Sequence, residues 1–132
     1  MRLRIHSQVL TGIADHARTE APRECCGLLV GSGDLIDEYI RTDNIKASEV
    51  EYEIDPAQHF AAIKRTRQMG RTILGGYHSH PRSAAVPSPT DLARAHAEFL
   101  YVIVSLRDAQ PDIRAYRLAD SRFAGVPFAA VP

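Results

Sequence analysis

The sequence lacks most features of extracellular, membrane-bound or nucleic-acid-binding proteins. Its 132 residues contain no tryptophan, only two cysteines, and 16 basic residues balanced by 16 acidic ones. No basic block is present, which argues against a surface for nucleic acid or anionic membrane. A net charge of zero gives little repulsion between copies of the chain, so a homodimer is compatible with the composition.

Long hydrophobic stretches are also missing. The longest apolar run, Phe99 to Val104, is far too short to span a membrane. The first ten residues, MRLRIHSQVL, lack the apolar core and small-residue cleavage site of a signal peptide. Cys25 and Cys26 are adjacent and therefore poorly placed for an unstrained disulfide. We therefore expect a reduced, cytoplasmic setting.

The length suits one domain over residues 1–132 with one hydrophobic core. Apolar periodicity predicts strands at residues 3–5, 25–30, 35–40, 50–54, 72–77, 99–106 and 113–118, with a final edge strand within 121–132. It predicts helices at residues 8–19, at 56–69, and from Thr90 or Asp91 to about 98. This order indicates an α+β fold, with one mixed, mostly antiparallel sheet flanked by about three helices.

Local signals set several of these boundaries. Ser7 is the expected N-cap of the first helix. Asp55 is the expected N-cap of the second, with Pro56 at the first helical position. Residues 31–34 predict a hairpin turn between two strands, and residues 41–49 form a polar loop.

The most informative stretch is TILGGYHSHPRSAAVPSPTD, which ends at Asp91. His78 and His80 follow a predicted strand and share one face, because side chains two residues apart on a strand point the same way. Two imidazoles and one carboxylate form the three-ligand set of a catalytic zinc site, whose fourth position is left for water. We therefore predict one zinc ion on His78, His80 and Asp91. The alternative is an ordinary pair of surface histidines at a strand end.

Hydrolysis also needs a general base and a donor for the oxyanion. Glu24 stands at the start of a buried strand, where partial desolvation would raise its pKa toward a useful range. From spacing alone it could instead be a surface glutamate. Ser88, between Pro87 and Pro89, is the candidate oxyanion donor. It could also be a turn residue or contribute to a helix cap.

Together these residues resemble the motif of the JAMM (MPN-plus) metalloproteases, a distant glutamate followed by His-x-His-Pro, a short loop and Pro-Ser-x-x-Asp. Every position of that motif is filled here, by Glu24, by residues 78–81 and by residues 87–91. The resemblance implies a cytidine-deaminase-like JAMM/MPN core and zinc ligands at His78, His80 and Asp91. It further implies a general base at Glu24, and at Ser88 a hydroxyl that polarises the substrate carbonyl.

The run PRECCGLL, residues 22–29, resembles the small prokaryotic branch of this family. That branch resembles enzymes that act on ubiquitin-like or sulfur-carrier proteins and cut at or just beyond the carrier's C-terminal Gly-Gly. The implied partner is therefore the C-terminal tail of such a carrier, with the loop at residues 41–49 as a wall of its channel. Two alternatives stay open: a catalytically silent scaffold module of the same fold, and a zinc amidohydrolase on another substrate.

The remaining candidate groups have plainer explanations. Cys25 and Cys26 are most simply buried small hydrophobic residues, although Cys26 could neighbour the active site. The histidines outside the motif are expected to be solvated or structural; they are His6, His16, His59 and His96. Three arginines are expected to form a solvated face, or else to dock the carrier through opposite charge; they are Arg65, Arg67 and Arg71.

Overall fold

A computed structural model describes residues 2–95 and 99–132 of this chain. The described strands are β1 (Leu3–His6), β2 (Cys26–Ser32), β3 (Leu35–Thr42), β4 (Thr72–His80), β5 (Leu100–Ser105), β6 (Asp112–Ala119), β7 (Arg122–Val126) and β8 (Phe128–Val131). The described helices are α1 (Ser7–Glu20), α2 (Pro56–Gln68) and α3 (Pro89–Ala93). None of these helices is long and apolar enough to cross a membrane.

All eight strands belong to one mixed sheet with the order β7-β6-β5-β4-β2-β3-β1-β8. Parallel pairing joins β5 to β4, β3 to β1, and β1 to β8. The other four pairs of neighbours are antiparallel. The predicted α+β class is therefore confirmed. β5 is buried along its whole length and β2 along all but its last residue, as the continuous apolar runs predict for strands covered on both faces.

The sheet curls so that its two edges approach each other at one corner. β7 and β8 lie at opposite ends of the strand order, yet only Pro127 separates them in sequence. Two extended residues span about 7 Å, so the edges must approach each other at this proline. α1 contacts β1, β3, β4, β5 and β8, which places the helix inside the curl. Its buried apolar residues join the main core; they are Val9, Ile13, Ala14 and Ala17.

Two of the predicted boundaries differ at helix ends. Ser7 does not cap α1, because it is itself the first helical residue and the cap position is His6, which makes no side-chain cap bond. The third helix begins at Pro89 and ends at Ala93, well before the predicted end. Residues 96–98 of that prediction lie outside the described residues. The cap at Asp55 is confirmed, since its carboxylate accepts hydrogen bonds from two backbone N–H groups of α2.

Two strand predictions are also wrong. Residues 50–54, all of which the structure describes, form no strand, and only a single bridge joins Ile54 to Asn44. The alternating pattern there belongs to a loop whose backbone is bound by the side chains of Asn44 and Arg94. The C-terminal tail adds two strands instead of one. Pro127 lacks the N–H that a ladder requires, so the chain changes partners there, from β6 to β1.

Candidate metal centre

β4 carries both motif histidines into the middle of the sheet, between β2 and β5. The strands pack closely there because Gly75 has no side chain; a Cβ at this position would lie 2.0 Å from the backbone oxygen of Leu100. His78 and His80 are only 1% and 4% exposed. Their Nε2 atoms lie 3.2 Å apart, so the two rings converge on one face, as the strand periodicity predicts.

Asp91 completes the cluster from another element. Its Oδ2 atom lies 3.1 Å from Nε2 of His78 and 3.1 Å from Nε2 of His80. Within residues 2–95 and 99–132, these three form the single group of histidine, cysteine or acidic side chains that could hold a metal ion. The structure thus brings together the three residues that the sequence singles out as ligands.

The N-terminus of α3 positions Asp91. Ser88 is the N-cap of this helix. Its hydroxyl accepts a hydrogen bond from the backbone N–H of Asp91 at 3.0 Å, and its own backbone N–H donates to Oδ2 of Asp91 at 2.9 Å. This reciprocal pair is a capping box. It fixes the same carboxylate oxygen that faces the two imidazoles.

The loop between the ligands, residues 81–87, is tied to the sheet. His80 donates through Nδ1 to the carbonyl oxygen of Ala84 at 2.8 Å, because a carbonyl can only accept. In a neutral imidazole this leaves Nε2 unprotonated, with its lone pair available to a metal. The hydroxyls of Ser105 and Tyr116 donate to two further carbonyl oxygens of the loop, at 2.6 Å and 2.5 Å. β5 and β6 therefore hold the loop in place.

His78 is held in a different way. Its Nδ1 atom is buried and has no hydrogen-bond partner among the described residues. The ring of Tyr52 stacks on the imidazole, with centroids 4.3 Å apart and planes inclined by 21°. Tyr52 was not among the predicted site residues. Its position two residues before Ile54 suggests a strand rather than a ring over a metal ligand.

The electrostatics of the cluster favour a bound cation. Burial lowers the pKa of His78 and so favours its neutral, metal-binding form. Burial opposes ionisation of Asp91, but hydrogen bonds from both histidines, in the forms that carry a proton on Nε2, outweigh it and hold the pKa of Asp91 below its usual range. For His80, burial lowers the pKa, while the hydrogen bond to Asp91 and other groups raise it by more. Asp91 is therefore the fixed negative charge of the cluster.

The donor atoms fit a small divalent ion. Tetrahedral zinc holds nitrogen and oxygen ligands at about 2.0–2.2 Å, which puts those ligands roughly 3.3 Å from one another. The three separations here are 3.1 Å, 3.1 Å and 3.2 Å. Two imidazoles and one carboxylate are donors that suit zinc and several other first-row divalent metals.

Glu24 lies across the strand pair from these ligands. Cys26 of β2 is paired with His78 of β4. The antiparallel contact continues beyond the strand, because the backbone N–H of Ser79 donates to the carbonyl oxygen of Cys25 at 3.2 Å. One further step in the same register sets Glu24 opposite His80, on the face that carries the ligands.

The carboxyl group of Glu24 is buried and poorly satisfied. The residue is 4% exposed, and its Oε1 atom has no hydrogen-bond partner among the described residues. Burial raises the pKa of Glu24 to about 8; the charge of Asp91 raises it further, and that of His80 opposes both. A surface location for this glutamate, the plainer alternative, is therefore wrong. A buried carboxyl with an unused acceptor beside a metal cluster is suited to proton transfer.

The hydroxyl of Ser88 serves the helix cap, which was the plainer prediction for this residue. Capping uses the oxygen as an acceptor only. The hydroxyl proton can still be donated, because a serine oxygen accepts and donates at the same time. The cap and the proposed oxyanion contact are therefore compatible.

The loop that follows β3 borders Glu24. We call residues 43–54 the β3–α2 loop; β3 extends to Thr42, so it begins slightly later than predicted. The backbone N–H of Glu24 donates to the carbonyl oxygen of Ser48 at 2.8 Å. The side chain of Asn44 donates to the carbonyl oxygen of Glu24 at 3.0 Å. These contacts fit the expected wall of a substrate channel, which stays a prediction.

The other candidate groups are not part of the metal-binding cluster. Cys26 is paired with His78 across β2 and β4, so it neighbours the ligands on the same face of the sheet, as expected. Cys26 has its Sγ atom 3.4 Å from the hydroxyl of Thr42, and burial raises its pKa to about 11, so it is a buried thiol. His16 is buried and lies 2.7 Å from the hydroxyl of Tyr77, which is a structural role. His96 lies outside the described residues.

The predicted arginine face is partly paired. Arg65 forms an ion pair with Glu38 at 2.9 Å, and Arg71 pairs with Asp37. These contacts fit the solvated-face alternative for both side chains. Docking of a carrier on this face stays a prediction.

Comparison with known proteins gives relatives along almost the whole chain. It is 29% identical over 127 residues to the CysO-cysteine peptidase of Mycobacterium tuberculosis, covering 93% of this chain and 87% of the relative. It is 35% identical over 112 residues to the desampylase of Haloferax volcanii, covering 79% and 81%.

Solved structures agree in fold. A protein from Desulfitobacterium hafniense has a TM-score of 0.90 at 26% identity, covering 98% of this chain and 92% of the other. A JAB1/MPN domain protein from Archaeoglobus fulgidus has a TM-score of 0.66 at 23% identity, covering 98% of both chains. The family model described as prokaryotic homologs of the JAB domain matches residues 6–119. The resemblance stated from the motif is confirmed, and the chain belongs to the prokaryotic homologs of the JAB domain.

Proposed function

We propose that this protein is a zinc-dependent peptidase of the JAMM type. It hydrolyses the bond that follows the C-terminal Gly-Gly of a ubiquitin-like or sulfur-carrier protein. One observation carries the proposal: the buried carboxyl of Glu24, without a hydrogen-bond partner for Oε1 among the described residues, faces the convergent donors of His78, His80 and Asp91. The two curated relatives, a CysO-cysteine peptidase and a desampylase, support this class of reaction.

The metal would be held by His78, His80 and Asp91, one ion per chain. Zinc bound there would lower the pKa of a coordinated water to about 7 and polarise the carbonyl group under attack. Asp91 keeps its charge because two imidazoles and the Ser88 backbone N–H all face one oxygen, Oδ2. His80 is held in the correct tautomer by its bond to Ala84.

Glu24 moves the proton. Its carboxylate takes a proton from the attacking water and returns it to the leaving amine as the bond breaks. Burial supports this exchange, since a carboxyl with a pKa raised to about 8 holds a proton far more readily than an exposed one. Removal of a general acid–base group typically lowers the rate of the catalysed reaction by about 10²–10⁴-fold.

Ser88 stabilises the charge that develops on the carbonyl oxygen. Its hydroxyl oxygen is fixed by the backbone N–H of Asp91, so the hydroxyl proton has a restricted range of directions. A donor held in advance of the reaction costs no reorganisation when the oxyanion forms. One such donor contributes about 3 kcal/mol to lowering the barrier.

The substrate and setting follow from the same considerations. The carrier tail lies extended beside the β3–α2 loop, because two glycines fit a narrow channel and main-chain pairing requires no side chains. Both cysteines are free thiols in the structure, which supports a reducing, cytoplasmic location.

A silent scaffold role is less well supported, because such a role does not require a buried, unpartnered glutamate beside complete ligands.

A cleavage assay tests the proposal. The zinc-loaded protein is mixed with a ubiquitin-like sulfur carrier that bears one or more residues after Gly-Gly, and products are read by intact mass. We expect a product that ends at Gly-Gly and that disappears after treatment with a chelator. Glu24→Gln should bind the same amount of zinc and lose at least about 100-fold in kcat.

Two outcomes count against the proposal. An extended carrier is one that bears one or more residues after Gly-Gly. If zinc is bound but no extended carrier is cut, the scaffold or amidohydrolase alternatives gain support. If Glu24→Gln cleaves like the wild type, Glu24 is not the base.

A further inference from the structure

The side chain of Asn44 links separate stretches of backbone around the site. Its amide nitrogen donates to the carbonyl oxygens of Glu24 at 3.0 Å and Glu51 at 3.1 Å. Its amide oxygen accepts from the backbone N–H groups of Lys46 at 3.1 Å and Glu53 at 3.0 Å. Two donors and two acceptor positions are the full capacity of a primary amide. Because the four partners are two carbonyls and two N–H groups, they also determine which end of the amide is nitrogen.

Glu24 depends on the β3–α2 loop for its placement. Its Oε1 atom has no hydrogen-bond partner among the described residues, so the carboxyl is placed through its own backbone and packing. The backbone N–H of Glu24 donates to Ser48 at 2.8 Å, and its carbonyl oxygen accepts from Asn44 at 3.0 Å. Both polar backbone groups of the proposed base are therefore bound by this loop.

The same amide supports the aromatic wall over the ligand His78. The two residues that flank Tyr52 in sequence, Glu51 and Glu53, are both partners of Asn44. The ring of Tyr52 stacks on His78 with a centroid separation of 4.3 Å. Since Nδ1 of His78 has no partner among the described residues, this stacking limits the rotation of the imidazole.

We propose that Asn44 is a positioning residue that sets Glu24 and Tyr52 together against the metal ligands. The inference rests on the proposed function, because it takes Glu24 as the base. A loss of the two amide donors would free the Glu24 carbonyl from the loop and let the carboxyl shift relative to the reacting water. A displacement of about 1 Å can cost about 100-fold in rate. The loss falls on kcat, because Glu24 acts in the chemical step, whereas the β3–α2 loop beside the carrier tail keeps its other backbone hydrogen bonds, such as that from Ile45 N–H to the carbonyl oxygen of Glu53 at 3.0 Å.

The variants separate the donors of Asn44 from its acceptors. Asn44→Asp keeps an oxygen for Lys46 and Glu53 but removes both donors, while Asn44→Ala removes all four bonds. Gln58→Ala is the matched control. The Gln58 amide also makes two hydrogen bonds to the loop, at 2.7 Å and 2.8 Å, but both are with Asp43 and neither reaches Glu24 or the flanks of Tyr52.

Three readouts are compared across the variants: kcat and KM for cleavage of an extended carrier, zinc affinity by chelator competition, and hydrogen exchange at the Glu24 amide. We expect both Asn44 variants to lose roughly 10- to 100-fold in kcat, with KM within about 3-fold of wild type. Zinc affinity should fall by at most about 10-fold, and the Glu24 amide should exchange faster. Gln58→Ala should leave kcat and this exchange rate within about 3-fold of wild type.

The results distinguish this inference from the proposed function. Asn44 variants that lose no more kcat per folded molecule than Gln58→Ala would overturn the positioning role. If the wild type binds zinc and cleaves no carrier, the proposed function fails. Hydrogen exchange at the Glu24 amide then still tests whether Asn44 holds Glu24 in place. Faster exchange in the Asn44 variants alone would uphold the link to Glu24, and unchanged exchange would overturn it.

Discussion

At the scale of single residues, two carboxyl groups beside one another have opposite surroundings. Asp91 accepts hydrogen bonds around Oδ2, and those bonds hold its pKa low against the effect of burial. Glu24 has no partner for Oε1 among the described residues, and burial raises its pKa to about 8. Pairs of titratable groups whose pKa values are pushed apart are characteristic of acid–base sites. Asp91 is thereby suited to bind a cation and Glu24 to exchange a proton.

The raised pKa of Glu24 predicts a pH-dependent stability of the metal-free protein. The folded state binds this proton more tightly than the unfolded chain, whose glutamate titrates near 4.5. Stability is therefore present below pH 4.5 and is lost as the pH rises toward and through 8. Glu24→Gln has no ionisable group at this position, so its stability does not fall in this way as the pH rises. We expect the metal-free variant to exceed wild type in unfolding free energy by up to about 4 kcal/mol at pH 8.

Urea unfolding at pH 4.5 and at pH 8 measures this difference. The two proteins should be nearly equal at the lower pH, because Glu24 is protonated there in the folded state and only half ionised in the unfolded chain. A constant difference at both values would mean that the glutamine acts through packing and that Glu24 titrates normally.

Ser88 combines two roles that a pair of substitutions can separate. Ser88→Ala removes the cap of α3, which costs about 1 kcal/mol in stability. It also removes the hydroxyl donor, which should lower kcat by about 10²–10³-fold. Ser88→Thr keeps a hydroxyl for both roles and should retain most of the turnover. Steady-state kinetics and thermal unfolding are measured on both variants. A normal kcat in a destabilised Ser88→Ala protein would leave the cap as the only role.

At the scale of elements, regular patterns could be predicted from the sequence and side-chain contacts could not. The period of two along β4 places His78 and His80 on one face, and the Pro-Ser run before Asp91 is a typical helix start. The strand predicted at residues 50–54 is wrong; Val50, Tyr52 and Ile54 alternate with acidic residues as in a strand but lie in the β3–α2 loop. That segment is held by hydrogen bonds with the side chains of Asn44 and Arg94 and by a backbone bond from Ile45 to Glu53, and local periodicity carries no signal for such contacts.

The close pairing of β4 with β5 predicts a sharp difference between two glycines. In Gly75→Ala the new Cβ would meet the Leu100 backbone oxygen at 2.0 Å, so one strand must shift. We expect a loss of at least about 2 kcal/mol in unfolding free energy, together with weaker zinc binding. In Gly125→Ala the Cβ has no neighbour within 4 Å, and the change should stay below about 1 kcal/mol. Equal losses from the two substitutions in denaturant unfolding would contradict the close approach at Gly75.

At the scale of the whole molecule, one curled sheet assembles a site from distant parts of the chain. Glu24 precedes β2, the histidines end β4, and Asp91 lies in α3. The family motif made this assembly predictable, while strand order and the meeting of β7 and β8 at Pro127 depend on pairings that sequence periodicity does not specify. Every site residue lies on β2 or β4, next to one of them, or in a segment that contacts them. Unfolding of this strand pair should therefore abolish metal binding and turnover together.

A zinc titration tests the central claim most directly. Metal-free protein receives zinc in steps, and the rate of cleavage of an extended carrier is measured at each step beside the amount of bound zinc. We expect the rate to rise in proportion to bound zinc and to level off at one ion per chain, with Asp91→Ala failing to respond. Cleavage by the metal-free protein, or a rate that does not change as zinc fills the site, would contradict the assignment of this cluster as a catalytic zinc centre.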